Sequence, residues 1–137
     1  MGEVRAKVNL TNAADLALLR RGMVKPDEVR SLETDALVDT GAVSLILPSF
    51  VVEQLGLARP YKQVAEYADG RREEVDATEP VLVELMKRHT VEDALVLGDE
   101  VIVGQTILEK TDLRVDCRER RLVPNPAHPD QPVLKVK

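Results

Sequence analysis

The sequence predicts a mainly β domain with one or two short helices, and three observations support this prediction. Apolar and polar residues alternate over residues 4–10, which is typical of a half-buried strand. A second apolar run, residues 42–47, follows the tripeptide Asp39-Thr40-Gly41 directly. The dipeptide Asp69-Gly70 joins two further strand-like runs, and Asp-Gly in that position is the strongest short-range signal of a β-hairpin.

The other elements are predicted from short-range signals. Thr11-Asn12 can cap a short helix over residues 13–21, although this stretch is equally compatible with an irregular insertion. A second helix is expected after Pro48-Ser49, ending at Gly56, and Thr106 with Glu109 has the spacing of a capping box. The predicted strands are residues 4–10, 29–38, 42–47, 61–68, 71–77, 81–86, 91–97, 101–103, 113–117 and 121–123. Strands 81–86 and 91–97 are expected to pair with each other.

Length and composition limit the classes of function. A chain of 137 residues can bury one core, so we expect a single domain over residues 1–124 and a Pro-rich tail over 125–137. The net charge of −5 and the scarcity of aromatic residues argue against a nucleic-acid partner. No window has the roughly 20 apolar residues needed to span a membrane, so no membrane partner is expected.

The cysteine and histidine content argues against a disulfide and against a metal. Cys117 is the only cysteine, which excludes an intrachain disulfide and favours a cytoplasmic protein, as does the lack of a hydrophobic signal core at the N-terminus. His89 and His128 lie far apart and lack the spacing of metal ligands. We therefore expect no cofactor and no metal.

The order of three features resembles that of the retropepsin-like aspartic peptidases, in particular the small stand-alone bacterial and archaeal proteins. An apolar strand precedes Asp39-Thr40-Gly41-Ala42, an Asp-Gly hairpin follows about thirty residues later, and Ile102-Val103-Gly104 precedes a short helix. The resemblance covers roughly residues 4–124. It implies a closed β-barrel of the acid-protease type and a two-fold homodimer. It also implies a peptide or protein substrate.

The resemblance also implies roles for individual residues. Asp39 matches the catalytic aspartate, with Thr40, Gly41 and Ala42 forming the active-site loop. Asp69-Gly70 matches the tip of a substrate-binding flap, and Ile102-Val103-Gly104 matches the element that supports the loop. The flap residues are Tyr67, Ala68, Asp69 and Gly70, although Tyr67 could equally be an ordinary strand aromatic. Gln105-Thr106 depart from the residues that the family usually has after this glycine.

The chemistry explains why a single Asp-Thr-Gly predicts a dimer. Peptide hydrolysis without a nucleophilic side chain needs one carboxylate that takes a proton from water and one carboxylic acid that donates a proton. Two carboxyl groups about 3 Å apart share one proton and supply both roles. The chain has only one such motif, so the resemblance implies that Asp39 of two copies meets on a two-fold axis.

Ala42 predicts the direction of the pH dependence. A hydroxyl residue at this position can donate a hydrogen bond to a catalytic carboxylate and stabilise its charged form. Ala42 cannot donate, so we expect a pH optimum that is shifted from strongly acidic towards mildly acidic or neutral.

Several alternatives remain open from the sequence. The chain could be a catalytically silent dimeric module of the same fold that binds peptides or proteins, or an unrelated β domain in which the motif is a simple turn. Phosphatase and transport-ATPase aspartate motifs are disfavoured because Thr40 and Gly41 stand where those motifs need other residues. An arginine-rich stretch near the C-terminus could be a solvated face or a dimer interface. It contains Arg114, Arg118, Arg120 and Arg121.

Overall fold

The computed structural model describes residues 2–136, and it confirms a mainly β fold. The strands are β1 (Val4–Asn12), β2 (Ser31–Val38), β3 (Leu45–Leu47), β4 (Tyr61–Glu66), β5 (Arg72–Ala77), β6 (Val81–Leu85), β7 (Arg88–Glu92), β8 (Ala94–Val96), β9 (Ile102–Val103), β10 (Leu113–Asp116) and β11 (Arg121–Pro124). The helices are α1 (Ala13–Arg20), α2 (Ser49–Gln54) and α3 (Gln105–Thr111), with a 3₁₀ turn at Pro26–Glu28. The described residues thus contain three α-helices, one at each of the three places with a helix signal in the sequence, whereas the predicted fold class has one or two.

One large sheet places β2 and β3, the strands on either side of Asp39, next to β9 from later in the chain. Among the described residues, nine strands pair in the order β4-β5-β8-β3-β9-β2-β1-β6-β7, and β10 and β11 pair separately. Strand β9 lies between β2, to which it is parallel, and β3, to which it is antiparallel. Val103 is the register partner of both Val38 and Leu45. The loop between β2 and β3 therefore spans the end of β9.

The described strands do not close into a barrel, which corrects that part of the prediction. Strands β4 and β7 are the two edges of the sheet and do not pair with each other. The β4–β5 hairpin extends beyond the sheet because β5 pairs with β8 only through Asp76 and Ala77. At the other edge, α3 packs against β7, and an ion pair of 2.9 Å joins Lys110 to Glu92. The helix therefore lies next to the edge that closure would have to use.

Two predicted strands are placed differently in the structure. The predicted pairing of residues 81–86 with 91–97 is confirmed only for Val81 with Glu92 and Leu82 with Val91. The rest of β6 turns at Met86-Lys87 and pairs with residues 88–90 of β7. Met86 and Lys87 both have positive φ (51° and 64°), a conformation that usually selects Asn or Gly, so the sequence gives no signal of this turn. Residues 94–96 form the separate strand β8, which is parallel to β3.

The insertion after β1 is anchored by buried polar groups, and its helix is confirmed. Asn12 is fully buried; its side chain accepts a hydrogen bond from the Asp15 N–H at 3.1 Å and donates one to the Leu55 carbonyl at 2.9 Å. The Asp15 carboxylate in turn pairs with the Arg30 guanidinium at 2.9 Å. These contacts fix α1 against the start of β2 and the end of α2.

The apolar core is formed by side chains from both the sheet and the helices. Its largest members are almost fully buried, and burial of each side chain contributes roughly 1.5–3 kcal/mol. They include Leu10, Leu45, Leu47, Leu55 and Ile107. Val103 is also fully buried, so the strand beneath the Asp39 loop belongs to the core.

The residues after β11 have no regular secondary structure, but they are tied to the end of α3. Asp112, in a left-handed conformation with φ of 55°, accepts hydrogen bonds from the Asn125 side chain at 2.9 Å and the Val133 N–H at 3.0 Å. His128 Nδ1 lies 2.7 Å from the same carboxylate. The buried Arg88 side chain donates to the His128 carbonyl at 2.9 Å. The tail from residue 125 thus begins as a packed segment.

The Asp112 contacts predict a specific acid dependence of stability. The hydrogen bond from Asn125, followed by those from Val133 and His128, lowers the pKa of Asp112 from 3.8 to about 2. The unfolded chain therefore binds more protons in this range, and stability falls as the pH drops from about 4 through about 2. We expect Asp112→Asn to reduce the slope of the free energy of unfolding against pH over that window. Urea unfolding at a series of pH values measures it.

The control for this experiment is Asp99→Asn, at an exposed turn position without these contacts. Asn is a suitable replacement at residue 112, because it tolerates positive φ. Parallel pH curves for wild type and Asp112→Asn would show that the carboxylate does not contribute as described.

Candidate active site

Asp39 lies at the point where a core strand leaves the sheet. The preceding residues of β2 alternate between half-buried Leu37 and buried Val38, and the Asp39 N–H donates to the Val103 carbonyl at 3.0 Å. The side chain of Asp39 is exposed, whereas its backbone is still held by β9. The carboxylate is therefore presented to solvent from a fixed main-chain position.

The Asp39-Thr40-Gly41-Ala42 turn holds the carboxylate by local hydrogen bonds. Asp39 Oδ1 accepts from the Gly41 N–H at 2.9 Å, and the Asp39 carbonyl accepts from the Ala42 N–H at 3.1 Å. An Asp side chain that accepts from the backbone two residues on is a common turn device, so this geometry alone is compatible with a structural role. Residues 42–44 belong to this loop and not to the predicted strand, which begins only at Leu45.

The first residues of α3 hold the Asp39 loop in place by hydrogen bonds. The N–H groups of Gln105 and Thr106 donate to the carbonyls of Ala42 and Val43 at 2.8 and 2.9 Å. These loop carbonyls satisfy helix donors that otherwise need a capping side chain. The predicted capping box at Thr106 is therefore wrong: Gly104 is the N-cap, and it makes no side-chain hydrogen bond.

Gly104 is required by the close approach of the loop. A Cβ atom added to it would lie 2.5 Å from the Ser44 carbonyl oxygen and 2.6 Å from that of Ala42. Its φ of −95° is ordinary, so the requirement is one of space rather than of backbone conformation. The structure thus brings Ile102, Val103 and Gly104 together with the Asp39 loop, through β9 pairing and through this contact.

The β4–β5 hairpin has the Asp-Gly turn that the sequence predicts. Gly70 has a φ of 86°, and its N–H donates to the Tyr67 carbonyl at 2.9 Å. The Tyr67 hydroxyl donates to Glu73, and the resulting hydrogen bond raises the pKa of Tyr67. The Arg71 guanidinium lies 4.5 Å above the tyrosine ring.

The hairpin tip and the Asp39 loop are not joined in the described residues. Tyr67 is occupied by partners on its own hairpin, and Ala68, Asp69 and Gly70 are exposed. Within residues 2–136, no hydrogen bond connects residues 67–70 to residues 39–42. The predicted flap and the Asp39 loop are thus connected only through the strands of the sheet.

A cleft of about 530 Å³ opens beside Asp39 and Thr40. A volume of this size is within the range of ligand-binding pockets. One wall is the end of β2, and the other walls come from the N-terminal residues and the β10–β11 hairpin. The remaining lining residues are Gly2, Glu3, Val4, Val115, Cys117, Arg118 and Arg120. No local sequence signal associates these segments with Asp39, because long-range packing alone brings them there.

The described residues contain no cluster of three His, Cys, Asp or Glu side chains that could hold a metal. His89 is exposed, and His128 is occupied by Asp112. Cys117 is a free, exposed thiol at the rim of the cleft. Nor is any helix in the part of the chain described here long and apolar enough to cross a membrane.

No protein-family model matches the sequence. No curated protein matches it significantly either.

Proposed function

We infer that this chain is an aspartic endopeptidase of the retropepsin-like type, active as a homodimer. The observation that carries the proposal is the presentation of the Asp39 carboxylate. It is exposed at the end of a core strand, accepts a hydrogen bond from Gly41, and stands on a loop packed against Gly104. A carboxylate held in this way can orient a water molecule against a peptide carbonyl.

The carboxyl groups near Asp39 support the need for a second copy. Glu3 is the only other acidic residue that lines the cleft, and it is paired with Arg5 at 3.1 Å. The other acidic residues within 2–136 do not line the cleft, whether they are paired, as Asp15 is, or exposed, as Asp35 and Asp99 are. The proton-sharing partner that hydrolysis requires is therefore Asp39 of a second chain, related by a two-fold axis.

In this proposal the β4–β5 hairpin acts as the flap. Its tip, Tyr67 to Gly70, projects from the sheet and has backbone groups that can bind an extended peptide. The hairpin would have to move towards Asp39 when substrate binds, and its exposed edge strand leaves it free to do so. The reaction uses no cofactor. A cytoplasmic setting is part of the proposal, because the single free thiol of Cys117 suits a reducing compartment.

Two measurements on the wild-type protein test the proposal. We expect a mixed peptide library to be cleaved at internal bonds, with a rate per chain that rises with protein concentration as dimers form. Sedimentation over the same concentrations should show the matching change in mass. Library peptides that bind without being cleaved at any pH from 3 to 8 would favour a silent peptide-binding module instead. A strict monomer at high concentration would contradict both.

A further inference from the structure

The cleft beside Asp39 contains two arginine side chains without an acidic partner. Arg118 and Arg120 both line it, and neither takes part in an ion pair or a side-chain hydrogen bond among residues 2–136. Arg5, which lies on the strand that starts beside the cleft, is by contrast paired with both Glu3 and Glu100. What distinguishes Arg118 and Arg120 is that both line the same cleft as Asp39.

The loop that carries these arginines is held in place. Cys117 to Arg120 connect β10 to β11, and Asp116 Oδ1 accepts from the N–H groups of Arg118 and Glu119, each at 3.1 Å. Arg120 is the last residue of the turn, and its backbone has a positive φ of 55°. Its guanidinium lies against Gly2, so closely that a Cβ atom there would overlap with it. The backbone positions of both arginines are thus set by a structured hairpin loop.

The charge balance of the cleft favours an anionic ligand. The Glu3 carboxylate is neutralised by Arg5, and the Asp116 carboxylate is used within the turn. Glu119 is exposed on the same loop but does not line the cleft. Asp39 then remains as the one acid facing two arginines, and in the proposed dimer it shares a proton with its mate. Guanidinium groups bind carboxylates through paired, charge-assisted hydrogen bonds.

We propose that Arg118 and Arg120 form a subsite for an acidic side chain of the substrate, so that the enzyme prefers Glu or Asp close to the scissile bond. This inference rests on the proposed peptidase function and names its substrate class. The cleft is continuous from Asp39 to both arginines, so a peptide held at Asp39 extends past them.

Pairs of peptides that differ only by Glu or Gln at one position test this subsite. The peptides are acetylated and amidated, so that only the side-chain carboxylate differs. For wild type we expect at least about a tenfold higher kcat/KM for Glu at one position near the cleaved bond. In the Arg118→Ala/Arg120→Ala double variant, the ratio of kcat/KM for the Glu peptide to kcat/KM for the Gln peptide should fall to about one. Arg114→Ala is the matched control, since Arg114 is exposed on β10 but does not line the cleft.

Binding of the same fluorescent peptides to Asp39→Asn separates the two proposals. Tighter binding of the Glu peptide that is lost in the double arginine variant supports the subsite, even if wild type cleaves nothing and the peptidase proposal fails. Equal affinity and equal cleavage of Glu and Gln peptides overturn the subsite and leave the peptidase proposal intact. A double variant that changes only the dimer mass would assign the arginines to the interface and also overturn the subsite.

Discussion

Asp39→Asn is expected to reduce peptide cleavage by roughly 100- to 10,000-fold, the range over which positioned acid–base groups contribute. Asparagine cannot take a proton from water or donate one to the carbonyl. Its Oδ1 atom can still accept the hydrogen bond from the Gly41 N–H that Asp39 accepts at 2.9 Å. Because residue 39 is exposed, the free energy of unfolding should change by no more than about 0.5 kcal/mol. Steady-state kinetics and urea unfolding of the same preparations measure both quantities.

Asp35→Asn is the matched control for this variant. Asp35 lies four residues earlier, on β2, and is also exposed, but it does not line the cleft. We expect its kcat/KM to equal that of wild type. Cleavage that survives Asp39→Asn at a similar rate, in protein free of contaminating peptidases, would refute the role of Asp39.

Gly104→Ala is expected to have the largest effect on stability. The new methyl group would meet the carbonyl oxygens of Ser44 and Ala42 at 2.5 and 2.6 Å, so the loop must shift. The Ala42 carbonyl also accepts the hydrogen bond that starts α3, which makes such a shift costly. Overpacking of this kind costs about 3 kcal/mol, or roughly a 10 °C decrease in Tm for a domain of this size. Displacement of the loop should lower activity as well.

Gly98→Ala separates the steric cause from backbone strain. Gly98 has a φ of 74°, and a Cβ atom added there meets nothing within 4 Å. Gly98→Ala should therefore lower the free energy of unfolding only by the cost of an alanine in the left-handed conformation, about 1 kcal/mol. Thermal unfolding of the two variants measures the difference. If Gly104→Ala is no more destabilising than Gly98→Ala, the loop does not pack as tightly on α3 as described.

Features that depend on short-range chemistry could be predicted from the sequence. Asn12 caps α1, Asp69-Gly70 turns the hairpin, and Gly56 follows α2 with a positive φ of 62°, as the residue types indicate. The turn at Met86-Lys87 could not be predicted, because neither residue type favours positive φ. The resemblance implies the helix after Gly104, but the sequence does not show how that helix is capped, since the groups that satisfy its first donors are the distant Ala42 and Val43 carbonyls.

In the candidate site, too, some residues can be predicted from local motifs and others are brought in only by long-range packing. Asp39, its turn and the glycine beneath it belong to local motifs, so the sequence predicts them and the structure brings them together. Arg118 and Arg120 are about eighty residues away from Asp39 and reach the cleft only through the packing of the β10–β11 hairpin. The sequence alone predicts for them only a solvated face or a dimer interface.

A subunit-mixing experiment tests whether one chain supplies only half of the catalytic centre. Wild type and Asp39→Asn are unfolded together in urea, refolded, and assayed at saturating substrate with the amount of wild type held constant. Random pairing predicts that activity falls to roughly half in an equal mixture and to about a tenth with a ninefold excess of the variant. Serum albumin in place of the variant should have no effect. Activity that stays constant as the variant is added would show that each chain is catalytically complete, and would contradict the account.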